Sequence, residues 1–112
     1  MNVPEFERAA PFVHIALFSL PKGASPSEAE ILSREIDAKL RGLPSVAGIW
    51  WGPPAGTWSP ERAVVDENYD VGLLVLFRDK AALDTYIAHP LHEEFATKWD
   101  SRCSVRVFDF TM

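Results

Sequence analysis

The chain has 112 residues, 47% of them hydrophobic, which suits one compact domain around one core. Eleven Lys and Arg against 16 Asp and Glu give a net charge of -5, and that balance argues against nucleic acid as a partner, because a phosphate backbone needs a basic surface. The N-terminus, MNVPEFERAA, has no apolar signal core, and no run approaches the roughly 20 apolar residues of a membrane span. The lone cysteine, Cys103, allows neither an intrachain disulfide nor a CxxC site, so a cytoplasmic protein without a membrane partner is expected.

Residues 1–11 read as an N-terminal extension and residues 12–112 as a single domain. FVHIALFSL at 12–20 is β-rich and bounded by Pro11 and Pro21, which predicts a first strand. Ser25, Pro26 and Glu28 take the N-cap, N1 and N3 positions of a capping box. Ala29, Leu32, Ile36, Leu40 and Leu43 then recur at helical spacing, so a helix of about four turns should end near Gly42 as its C′ residue. SVAGIWW at 45–51 predicts a second strand. The stretch at 53–69, PPAGTWSPERAVVDENY, is rich in turn formers and reads as a long surface loop.

A third strand, DVGLLVLF at 70–77, is apolar on both sides, with Val71, Leu73 and Val75 facing one way and Leu74 and Leu76 the other. Asp79 can cap a helix holding Leu83, Tyr86 and Ile87. That helix should stop at His89, because a following proline disfavours helical dihedrals. Pro90 opens another helix at N1, with Leu91, Phe95 and Trp99 as its apolar stripe and Glu93 and Glu94 in the first turn where the dipole favours them. CSVRVFDF at 103–110 completes a fourth strand.

The order β-α-β-β-α-β predicts an α+β, ferredoxin-like fold, a four-stranded antiparallel sheet with its helices on one face. The opposite face is left apolar and bare. A second copy, sheet against sheet, is the economical cover, so a homodimer through the sheet face is expected.

Candidate chemistry centres on three histidines and a tyrosine. His14 is the one polar side chain on a strand face shared with Phe12, Ala16, Phe18 and Leu20, which favours a functional role. His89 sits at an N-cap and reads as structural. His92, at N3, either bonds a nearby backbone group or works in a pocket. Tyr86 is either a core residue whose hydroxyl finds a partner or a proton donor. Pro90 separates His89 from His92, so their imidazoles should not converge as a metal pair would, and no metal site is expected. Trp50 and Trp51 alternate, one ring toward the helix-side core and one toward the dimer face. Cys103 has no flanking base and is not expected to act as a nucleophile.

The strand HIALFSL, the strand opening NYDVGLLVLF, the helix break YIAHPLHEEF and the closing VRVFDF together resemble the stress-responsive α/β-barrel (Dabb) domain over roughly residues 12–110. The family's paired sheets imply the dimeric α/β barrel. Its olivetolic acid cyclase-like members close a linear polyketide by an aldol-type condensation without a cofactor. That resemblance implies His14, Tyr86 and His92 as working residues, and Ala16, Phe18, Leu73, Ile87, Phe95 and Val105 as the pocket wall. Many relatives carry a histidine where this chain has Val71, so a polar group near the site mouth is expected to be missing. Two functions stay open: a cofactor-independent cyclase or isomerase acting on a carbonyl or polyketide-like substrate, and a non-catalytic dimer that binds a small apolar molecule or serves a stress response.

Overall fold

The structure, a computed structural model, describes residues 12–112; the expected extension at 1–11 lies outside the described residues. Four strands, β1 (Phe12–Ser19), β2 (Gly48–Gly52), β3 (Val71–Phe77) and β4 (Ser104–Thr111), form one sheet in the order β2-β3-β1-β4. All neighbours are antiparallel. Helices α1 (Pro26–Glu35), α2 (Lys80–Ala88) and α3 (Pro90–Asp100) supply the connections. This is the ferredoxin-like arrangement that the element order implies. No helix among the described residues is long and apolar enough to cross a membrane.

Local chemistry sets the helix starts. Asp79 holds an extended backbone and its carboxylate accepts from the Ala82 N–H at 2.9 Å, which satisfies one of the open donors of α2. At α1 the Ser25 hydroxyl accepts from the Ser27 N–H at 3.3 Å. Glu28 does not close the capping box; its carboxylate instead lies 4.0 Å from Arg102. His89 ends α2 and caps α3 at once, because its extended backbone breaks the helix while Nδ1 accepts from the Leu91 N–H at 3.1 Å.

Two boundaries depart from the sequence pattern. The first helix passes into a π-helical turn at Ile36–Leu40, and Arg41 donates to the Ile36 carbonyl at 3.1 Å. Arg41 stays right-handed, and Gly42 does not adopt the positive φ of a C′ glycine. The wider turn keeps Leu32, Ile36 and Leu40 fully buried. The second strand starts later than residue 45, because Val46 folds back to the Leu43 carbonyl and the ladder begins where Ala47 donates to Leu76.

Alternation along the strands then sorts the sheet into two unlike faces. Ala16, Phe18, Val71, Leu73, Val75 and Phe77 lie in the core with Leu32, Ile36, Leu40, Leu83, Tyr86, Phe95 and Trp99. Leu91, expected in the same stripe, is exposed. Lys39 bridges Glu35 at 3.2 Å and Glu94 at 2.9 Å, and Lys98 also pairs with Glu35, tying the end of α1 to α3. Burial alone would raise the Glu35 carboxyl; Lys98 and Lys39 outweigh it and hold the group below its usual 4.5. On the opposite face Val13 and Leu76 are buried with Ile15 and Leu74 against them. Around that cluster Trp50 (57%), Phe108 (51%) and Phe110 (51%) stand half in solvent. Trp51, one residue along, packs against the helix-side core, so the Trp pair divides as its alternation implies.

Candidate functional site

The β1–β4 register places His14 opposite Asp109, and one turn of the pleat further Ala16 meets Val107 and Phe18 meets Val105. His14 is buried, and its Nδ1 lies 2.6 Å from Asp109 Oδ1. An ionised carboxylate only accepts, so Nδ1 carries the proton and the lone pair of a neutral ring is on Nε2. The break at Pro90 brings the other two groups to the same place. Tyr86, from the last turn of α2, and His92, from the first turn of α3, have ring centroids 4.6 Å apart. The Tyr86 ring stands 6.1 Å from that of His14, edge to face, and Phe77 backs both.

These side chains line one cavity of about 270 Å³, near the low end of small-molecule sites. His14, Tyr86 and His92 all line it, and so do Ala16, Phe18, Leu73, Ile87, Phe95 and Val105. Ile87 and Val107 are partly exposed and form its mouth. His89 takes no part, since its ring caps α3 instead. Val71 does not line this cavity: it pairs with Phe18, a cavity wall, but borders a larger groove of about 470 Å³ with Ala29, Ser33, Arg34 and Pro53. In that groove Arg34 lies 3.7 Å from Glu30, and Asp70 accepts from the Leu20 N–H at 2.7 Å. The 53–69 loop does not line the His14 cavity either. Its end is held on the bare face, where Arg106 binds Asp66 and the Asn68 carbonyl.

Sequence reasoning passes over Asp109 and Asp100, which both line the cavity. The signal for Asp109 is a lone acid sharing a strand face with Val105 and Val107. Cys103 is set apart: its thiol donates to the Trp99 carbonyl, and burial pushes its pKa up to about 11.

Burial shapes the protonation of the site. It pushes the Tyr86 phenol far above its usual 10, so the hydroxyl stays a donor. It also lowers His92 below 6.5, ahead of the opposing pull of the Ile87 backbone, while His14 lowers it further and Asp100 and Glu93 raise it. Nδ1 of His92 is buried without a hydrogen-bond partner among the described residues. A depressed histidine costs stability on acidification: below about pH 6.5 the unfolded chain takes up a proton that the folded chain resists. Urea unfolding of the His92→Phe variant should therefore lose less stability between pH 7.5 and 5.5 than the native chain. An equal loss in both would mean that His92 is not held neutral by the fold.

Comparison with known proteins agrees with this architecture. The structure of an Arabidopsis thaliana protein is 27% identical, covering 91% of this chain and 95% of that one, with a TM-score of 0.72. A dimeric ferredoxin-like protein of unknown function from Thermobifida fusca shares 18% identity over 90% of each chain, with a TM-score of 0.74. Hydroxynitrile lyase from Passiflora edulis shares 17% identity, 90% and 92% coverage and a TM-score of 0.73. These last two show a common fold. No curated protein sequence matches the chain. Residues 12–112 match the Stress responsive A/B Barrel Domain, Dabb, and the chain belongs to that family.

Proposed function

We propose that the protein is a cofactor-independent acid-base catalyst, a cyclase or isomerase that takes a proton from carbon α to a carbonyl in a small or polyketide-like substrate, as in the olivetolic acid cyclase-like members of its family. One observation carries the reading: His14, backed by Asp109, shares an apolar cavity with a protonated tyrosine and a neutral histidine. In this scheme Nε2 of His14 accepts the α-proton, and the C–H electron pair moves into the carbonyl, leaving charge on its oxygen. The Tyr86 hydroxyl and an N–H of His92 donate to that oxygen. The enolate carbon then attacks a second carbonyl, whose oxygen takes the proton back from the His14 imidazolium as it becomes a hydroxyl; in an isomerisation the conjugated enolate takes that proton at its γ carbon instead. Apolar walls limit the water around the enolate, while the open mouth at Ile87 and Val107 lets the His14 imidazolium exchange its proton with solvent.

The test is deuterium exchange α to a carbonyl. Methyl levulinate incubated in D₂O with the protein should lose its α-proton NMR signals in a saturable way, faster than with free imidazole at equal histidine concentration. Exchange no faster than the imidazole control would sink the catalytic reading and leave a binding module.

We infer further that a second copy covers the face carrying Trp50, Phe108 and Phe110, since half-exposed aromatics around a buried apolar centre form the kind of patch that association removes from water. The Thermobifida fusca protein of the same fold is described as dimeric. Light scattering should give twice the chain mass for the native protein and the single-chain mass for Phe108→Glu. A dimer that survives this substitution would place the interface elsewhere.

A further inference from the structure

The charges around the cavity have a sign. Two carboxylates, Asp100 and Asp109, line it, and among the described residues no Lys or Arg does. The described cations nearest in the sequence are engaged elsewhere: Lys98 with Glu35, Arg102 beside Glu28 and over the Trp99 ring, Arg106 with Asp66. Any charge on His14 is met by Asp109 at 2.6 Å, and His92 is held toward its neutral form.

Asp100 is the informative member. It is the last residue of α3, where the helix dipole disfavours a negative charge, and it forms no ion pair among the described residues. Helix stability does not explain an acid there. Its carboxylate is exposed at the edge of the cavity and acts on His92 through space.

We propose that this cavity discriminates by charge, accepting uncharged carbonyl compounds and rejecting carboxylates and phosphates, with Asp100 as the residue at the rim that sets the discrimination. The inference rests on reading the cavity as a carbonyl site and adds the class of compound it takes. An anion entering would face two like charges, each worth about a fivefold loss of affinity at close range even in water-like surroundings. It would also leave its hydration shell for an apolar wall that offers no cation in return. A neutral ketone meets neither penalty.

Methyl levulinate and levulinate carry the same ketone and differ in one charge, so they separate the possibilities. Binding is followed by the NMR shifts of the His14 and His92 imidazoles, and exchange by loss of α-protons in D₂O. Methyl levulinate should bind at least about tenfold more tightly, and added salt should narrow the ratio as the acids are screened. Asp100→Asn should cut the ratio about fivefold, by tightening the binding of levulinate rather than by weakening that of methyl levulinate. Equal or tighter binding of levulinate overturns the proposal, and an unchanged ratio in Asp100→Asn removes Asp100 as its cause. Charge-selective binding without any exchange keeps this inference and sinks catalysis. Equal exchange of both probes does the reverse, and failure of both to bind sinks the two together.

Discussion

Exchanging Asp109 for asparagine should slow α-proton exchange by about 10² to 10⁴ while leaving the fold and the affinity for methyl levulinate nearly intact. The carboxylate does two things that an amide of the same size cannot. It accepts only, so it holds the proton on Nδ1 of His14 and keeps the lone pair on Nε2; an asparagine can present its NH₂ group and stabilise the opposite tautomer. It also carries the negative charge that steadies the imidazolium formed when Nε2 takes a proton. Asp109 is partly exposed and lies on the edge strand β4, so its loss should not unfold the chain. His92→Ala should fall in the same range, since a donor to the developing oxyanion is lost. A full rate in Asp109→Asn would mean that His14 is not the base, whatever else the cavity does.

How much of this is legible in the sequence depends on how local each feature is. Strands β1 and β3 are legible because proline or turn-forming residues bound short apolar runs, and the apolar character of both faces of 70–77 already implies a sheet covered on two sides. The α2–α3 break is legible because Pro90 acts on the residue before it, and His89 duly takes an extended ψ of 135°. The π turn is not. Positions 29, 32, 36, 40 and 43 fit an α-helix as well as they fit the wider turn, and only in the folded chain are Ile36 and Leu40 seen buried together in the core.

The site divides in the same way. Tyr86 and His92 sit six residues apart around one proline, and the resemblance that singles them out is a local motif. Asp109 becomes a partner of His14 only through strand pairing across 95 positions. The sequence shows Asp109 on a face with Val105 and Val107 but does not show which residue lies opposite. Val71 is misplaced for a related reason: its face is legible, but which groove it borders depends on how the helices pack over that face. Asp100 looks like an ordinary solvated helix end until the cavity beside it is seen.

Removing the indole of Trp99 should be the most damaging single change to stability, at about 3–5 kcal/mol for Trp99→Ala. Trp99 is the largest fully buried side chain, at 0% exposure, and it carries Phe95 on one side while Lys98 and Arg102 lie over its ring. A cavity of indole size at the end of α3 cannot close, because the sheet on one side and the Glu35, Lys39 and Lys98 network on the other fix the helix. Against a total stability of roughly 5–15 kcal/mol, the variant should be marginal, with Tm lowered by roughly 15–25 °C at fixed protein concentration. Trp99→Phe should be far milder. It leaves a smaller void, and it deletes the Nε1–H, which is buried without a partner among the described residues and so contributes a penalty in the native chain. A cost below about 2 kcal/mol is expected for it, read from urea unfolding with an unchanged m value. The pair also separates scaffold from chemistry, because Phe95 is a wall of the cavity and rests on Trp99. Trp99→Phe should keep α-proton exchange within a few-fold of native, whereas Trp99→Ala should lose it through a loosened wall even where the chain still folds. If the two variants cost the same, the indole does not fill the space the structure gives it.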